Sequence, residues 1–168
     1  TLPKENRRFM SRSPEDFIQE LKSIQKNKHA LKERFFFFLP DNLMLGGKNL
    51  VSILDQILES DLKLNYAVQV SIDVAKNKEL LKKLRLSGAS HFFIGLESLD
   101  IRNLEHVNKT TVKEIRESGL SVEAYYSRQI KIIQRHGISV HGAFIFGLPY
   151  DYFHSLKAHT GRDVSRFC

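Results

Sequence analysis

Between Ser13 and Pro149 the apolar residues switch repeatedly from helical spacing to strand spacing and back, and this alternation constrains the fold most. Ser13 is placed as an N-cap, with Pro14 at the first helical position and Glu15 and Asp16 in the first turn. Phe17, Ile18, Leu21 and Ile24 then form a stripe at helical spacing to about Lys28. Phe35 to Leu39 is a continuous apolar run, stopped by Pro40-Asp41-Asn42, that fits a strand buried on both faces. Gly46-Gly47 loosens the turn into a helix that uses Leu50, Ile53, Leu54, Ile57 and Leu58. Tyr66 to Asp73 alternates with period 2, and a helix from about Asn77 uses Leu80, Leu81 and Leu84 before Gly88. His91 to Glu97 is again a strand. A charged helical stretch runs from Asp100 through Arg116, and Val122, Tyr126, Ile130 and Ile133 line a further helix that Gly137 closes. Ile138 to Leu148 reads as the last strand. Strands and helices that alternate over short links give an α/β fold: a parallel sheet with right-handed crossovers and outer helices.

The size of the chain limits how far that fold can extend. Its 168 residues bury one core and make one domain. A complete eightfold β/α barrel needs about 250 residues, so a barrel here is partial or cut. Residues 1–12 are polar, basic and irregular, 13–149 hold the β/α units, and 150–168 show no period. The chain opens on Thr1 rather than Met, and the expectation is a piece of a longer protein. No apolar run approaches 18 residues, so no membrane span is expected. The single cysteine, Cys168, excludes an internal disulfide and suits a reducing cytoplasm. The net charge of +7 is densest near the N-terminus, interleaved there with Glu15, Asp16 and Glu20. That reads as a solvated basic helix before it reads as a nucleic-acid face.

Function is written at the strand exits. In a parallel sheet these exits share one edge, and there open α/β sheets and barrels place ligand contacts. Asp41, Asp73, Glu97 with Ser98, and Pro149 with Asp151 all fall at or just past such exits. In the central stretch, Phe92, Ile94 and Leu96 share one face of a strand, while His91, Phe93, Gly95 and Glu97 share the other. Gly95 lets something approach the backbone beside Glu97, and Gly142 and Gly147 do the same on the last strand. Ala67, Gln69, Ser71 and Asp73 form a polar face that, inside a sheet wrapped by helices, points to the interior; edge exposure accounts for it equally well. The pattern indicates a polar ligand at the C-terminal rim. Seven histidines include no pair with a zinc-ligand spacing, and no metal ligand is assigned.

Four segments in order carry a resemblance: Gln69 to Ala75, Phe93 to Ser98, Val107-Asn108-Lys109, and Gly137 to Pro149, with Arg7-Arg8 and Arg12 to Glu15 ahead of them. Together they resemble the radical S-adenosylmethionine (SAM) superfamily, in the branch that often carries a cobalamin-binding domain before the core. The resemblance covers nearly all of the chain to about Asp151. It implies an incomplete (β/α)6 TIM-like barrel of the radical SAM type, whose first strand lies ahead of Thr1. It also implies a [4Fe-4S] cluster on a CxxxCxxC loop after that first strand, SAM chelated by the open iron, and cobalamin in a separate domain. Reductive cleavage of SAM in that family yields a 5′-deoxyadenosyl radical that takes a substrate hydrogen.

Carried over by position, Asp41 and Asn42 stand near the methionine amino group. Gln69, Ser71 and Asp73 face the lumen, Glu97 and Ser98 meet the ribose hydroxyls and methionyl moiety, and the strand with Gly142 and Phe146 flanks the adenine. The departures are as informative. No CxxxCxxC is present, so the cluster ligands are expected upstream and this piece alone is expected to be inactive. Residues 150–168 do not follow the family pattern. Two alternatives stand beside the enzyme reading: a non-catalytic remnant or interaction module, and a tRNA-modifying relative. The small-molecule substrate is not legible, and the expected partner is the upstream domain of the same protein.

Overall fold

A computed structural model describes residues 13–26, 36–38 and 47–151. In chain order it contains α1 (Pro14–Lys26), β1 (Phe36–Phe38), α2 (Gly47–Leu58), β2 (Tyr66–Gln69), a 3-10 turn (Ile72–Lys76), α3 (Lys78–Leu86), β3 (Ala89–Glu97), α4 (Ile101–His106), α5 (Val112–Ser118), α6 (Val122–Arg135) and β4 (Ser139–Phe144). The four strands form one parallel sheet in the order β1-β2-β3-β4. Adjacent parallel strands need a long connection, and each pair is joined by helix. This is the α/β sheet with outer helices that the alternation predicts.

Local chemistry starts the helices. Ser13 Oγ accepts from Asp16 N at 3.1 Å, Asn77 Oδ1 from Leu80 N at 3.0 Å, and Ser121 Oγ from Ala124 N at 3.1 Å. Each satisfies one of the amide groups that a helix start leaves unpaired. Gly88, at φ +110°, turns the chain from α3 into β3 where a Cβ would overlap the Leu64 carbonyl.

One face of β3 builds the core. Phe92, Ile94 and Leu96 are fully buried with Val68 from β2, Leu81 and Leu84 from α3, and Tyr126, Ile130 and Ile133 from α6. Ile18, Leu21 and Ile57 form a smaller cluster that seats α1 on α2. The other face of β3, with Phe93, Gly95 and Glu97, is only half-buried. The neighbouring residues of β4, His141 and Ala143, are exposed.

Three boundaries differ from the sequence reading. β2 stops at Gln69, and the period-2 pattern through Asp73 is not all strand. Val70 N still donates to Phe93 O at 3.0 Å, but Val74 N donates to Ser71 O and Asn77 N to Val74 O. The 3-10 turn buries Ile72, Val74 and Ala75 together, which an extended chain would place on opposite faces. The charged stretch after Asp100 is two helices, because Asn108 adopts φ +54° and ends α4. β4 ends at Phe144, short of Leu148, because the Asp151 side chain folds the following segment into a turn. The predicted strand at Phe35 to Leu39 is seen as Phe36–Phe38; Phe35, Leu39, and the candidate site residues Asp41 and Asn42 lie outside the described residues.

Candidate functional site at the strand exits

β3 leaves the sheet through a bulge. Gly95 pairs with Ala143 and Glu97 with Phe144, so Leu96 has no opposite residue. Glu97 sits at φ +66°, a left-handed conformation that costs a non-glycine residue about 1–2 kcal/mol. Contacts around the bulge hold it there. Tyr126 Oη donates to Leu96 O at 3.0 Å, Lys109 Nζ to Gly95 O at 2.6 Å, and Ile145 N to Glu97 O at 2.8 Å. The Glu97 carboxylate receives Lys109 Nζ on Oε1 at 3.0 Å. Among the described residues nothing donates to its Oε2.

Ser98 begins a second set of bonds. Its Oγ accepts from Asp100 N at 3.1 Å and from the fully buried Asn103 Nδ2 at 3.3 Å. Asn103 Nδ2 also donates to Asp151 Oδ1 at 2.7 Å, and Asn103 Oδ1 accepts from Tyr150 N at 3.0 Å. Asp151 Oδ2 accepts from both Gly147 N and Leu148 N at 2.9 Å. The exits of β3 and β4 are thereby tied into one unit. Between them lies a narrow cleft lined by Glu97, Ser98, Leu99, Phe144, Ile145, Phe146 and Asp151. Phe146 and Ile145 are about half exposed there. An exposed aromatic face, a carboxylate oxygen and a hydroxyl border this cleft, which is itself little larger than one water molecule.

The exit of β2 is arranged differently. Asp73 Oδ1 accepts from Lys76 Nζ at 2.6 Å, and Ser71 Oγ approaches Asp73 Oδ2 at 3.4 Å. Lys76 also pairs with Glu114, whose other oxygen accepts from Tyr125 Oη at 2.6 Å. Lys76 and Tyr125 together hold the Glu114 carboxyl below its usual range. Partial burial pulls the Lys76 ammonium down, but Asp73 and Glu114 outweigh it and raise it. Burial, reinforced by Glu114, raises the Tyr125 phenol far above its ordinary value. Gln69 is exposed at the end of β2.

Tyr126 links the two exits. Burial pushes its phenol up to about 12, and the Glu97 and Asp73 carboxylates both add to that rise. Asp151 joins Glu97 on the cleft. Gly142 has another task than the sequence suggests: a Cβ there would meet Leu96 Cδ1 at 2.7 Å, so glycine is required for core packing. Lys109 and Asn103 were not among the site residues expected from sequence. Asn103 follows Ser98 by five positions with no helical reason to be buried. Lys109 could have been suspected from Asn108, a residue suited to ending a helix in the left-handed region.

The chain's residues do not fit an iron–sulfur cluster. The single thiol, Cys168, lies outside the described residues, and among the described residues no three His, Cys, Asp or Glu side chains cluster as a metal site.

No protein-family model matches the chain. It is 28% identical to the bacteriochlorophyllide d C-8(2)-methyltransferase of Chlorobaculum tepidum over 140 residues, which is 83% of the chain and 29% of that protein. It is 25% identical to the anaerobic magnesium-protoporphyrin IX monomethyl ester cyclase of Cereibacter sphaeroides over 155 residues, covering 90% of the chain and 23% of the cyclase. The chain thus spans less than a third of the length of these curated relatives. Among solved structures, it superposes on the cobalamin-dependent SAM radical enzyme OxsB with aqua-cobalamin and SAM bound, with a TM-score of 0.64. That match has 16% identity and covers 79% of the chain and 19% of OxsB. The fold is a part of the radical SAM barrel, as the resemblance implies.

Proposed function

We propose that this chain is the central part of a radical SAM core and binds S-adenosylmethionine at the exits of β3 and β4. The observation that carries the reading is the Glu97 carboxylate, fixed by Lys109 on one oxygen, with the other oxygen lacking a donor among the described residues, on a cleft that an exposed Phe146 also lines. In this reading Glu97 Oε2 accepts from the ribose hydroxyls, Ser98 lies beside it, and Phe146 covers the adenine. Gln69, Ser71 and Asp73 border the lumen at the next exit; Asp41 and Asn42, outside the described residues, are the sequence candidates for the methionyl end. In the full-length protein a [4Fe-4S] cluster would supply the electron for radical chemistry on SAM; its thiolates, and a cobalamin domain, would have to come from sequence outside this chain.

The likeness to a methyltransferase and to a cyclase, whose named reactions differ, singles out neither reaction for this chain. For the same reason it carries no substrate to this chain. The test is reconstitution of the gene-length protein with iron and sulfide. Expected are cluster absorption and release of 5′-deoxyadenosine under reduction; absence of both overturns the proposal.

The single cysteine favours a second reading, a non-catalytic remnant. The two part on the sequence ahead of Thr1: three closely spaced cysteines support the enzyme, and a start codon near Thr1 supports the remnant. A groove between α3 and α6, lined by Lys78, Arg128, Lys131, Arg135 and His136 with no carboxylate, bears on a tRNA-modifying role. RNA binding that weakens steeply with salt supports that role, and no binding at low salt dismisses it.

A further inference from the structure

Lys109 belongs neither to a strand nor to a helix. It follows α4, whose end is a Schellman motif: Asn108 N donates to Glu105 O at 2.9 Å and Lys109 N to Leu104 O at 2.8 Å, with Asn108 in the left-handed region. This turn sends the Lys109 side chain back beneath the exit of β3. There its side chain is about four-fifths buried, and its ammonium reaches both the Gly95 carbonyl and Glu97 Oε1. Gly95 completes the arrangement, since a Cβ at that position would overlap Glu97 Oε1. The carboxylate is thus folded back over its own strand into space that only glycine leaves.

We infer that Lys109 and Gly95 are positioning residues for the cofactor site: Lys109 pins one oxygen of Glu97, and Gly95 admits the folded-back carboxylate, so that Oε2 alone remains for a ligand. The inference rests on Glu97 receiving the ribose hydroxyls, as proposed above. It also says what kind of recognition occurs. A carboxylate already paired with an ammonium offers a hydrogen-bond acceptor with little net charge, so it selects hydroxyls over the sulfonium cation. A lysine acting through Glu97 must then matter equally for ligands with and without the methionine portion. A lysine touching the ligand's own carboxylate would matter only for SAM.

The experiment is calorimetric binding of SAM and of 5′-methylthioadenosine to the cluster-loaded, gene-length protein. Lys109→Met is expected to weaken both ligands by the same factor, roughly tenfold or more. Combined with Glu97→Gln it should lose no more than about a further twofold, because the two residues act as a unit. Gly95→Ala should reproduce the loss with an unchanged thermal midpoint. Weakened SAM with unchanged methylthioadenosine, or additive losses in the double variant, overturns the positioning role. Loss in Glu97→Gln with none in Lys109→Met overturns that role alone, whereas unchanged binding in Glu97→Gln overturns the reading beneath it as well. Should Lys109→Met not fold, Gly95→Ala decides: unchanged affinity for methylthioadenosine overturns the proposal.

Discussion

The exits of β2 and β3 each end in a carboxylate, yet they leave different chemistry at the rim. At β2 the chain winds into a 3-10 turn, and Asp73 is drawn into a chain of contacts through Lys76 and Glu114 to Tyr125. At β3 the chain bulges, and Glu97 gives one oxygen to Lys109 and keeps the other. A carboxylate at a strand exit therefore does not by itself leave an acceptor at the rim. What the following loop supplies decides whether it stays available. The 3-10 turn places Lys76 three residues from Asp73, so the pair forms locally. The loop after β3 supplies its lysine from beyond a whole helix, in a position where it can reach only one oxygen.

Alkaline unfolding gives the largest expected effect, and Tyr126 makes it a probe of the ground between the exits. Tyr126 and Tyr66 are both buried and both pushed up to about 12. The unfolded chain releases these protons near pH 10, so the native state holds protons that the unfolded state has lost. Stability is thus intact below pH 10 and falls as pH rises toward 12, by about 3 kcal/mol for each phenol. Urea unfolding across that range should show Tyr126→Phe losing about a third of the slope, because Tyr66 and Tyr125 hold their protons over the same range; an unchanged slope would mean that Tyr126 is not buried. At neutral pH the same substitution removes the donor to Leu96 O, a cost of about 1–3 kcal/mol. Because that bond braces the bulge, SAM affinity should drop with it.

The next contrast separates binding from stability. Glu97→Ala removes a side chain held at positive φ, so the unfolding free energy should change by less than about 1 kcal/mol. SAM affinity should nevertheless fall roughly tenfold or more. The smallest effect is expected at the other exit. Asp73→Asn breaks a half-exposed ion pair, for a loss of about 1 kcal/mol or less, and shifts SAM affinity by no more than about twofold. A large loss of affinity there would show that the β2 exit, rather than the β3 exit, carries the ligand.

Much of this arrangement is legible in the sequence where the cause is local. Ser13, Pro14 and Glu15 mark the start of α1 with the bonds that form there. The faces of β3 follow from Phe92, Ile94 and Leu96, because period 2 and one-sided burial leave a single solution. The presence of both carboxylates at exits follows from element order. What escapes the sequence is set by side chains that bond backbone at a distance. Period 2 in Tyr66 to Asp73 cannot distinguish a strand from a strand followed by a tight turn, since Ile72 keeps an apolar place in the pattern and is buried in the turn. The apolar run after Phe144 continues in the sequence, but the bonds from Gly147 and Leu148 to Asp151 end the strand. Gly142 reads as a ligand approach from its neighbours alone; only the position of Leu96 shows that packing requires it. The reach of Lys109 to Gly95 spans fourteen positions and depends on the left-handed Asn108.

The most direct measurement is SAM binding to the cluster-loaded, gene-length protein with Glu97→Gln and Asp73→Asn side by side. The expected result is a loss of roughly tenfold or more at Glu97 and about twofold or less at Asp73, with both variants folded. Equal losses, or a greater loss at Asp73, would contradict the claim that the exit of β3 holds the cofactor.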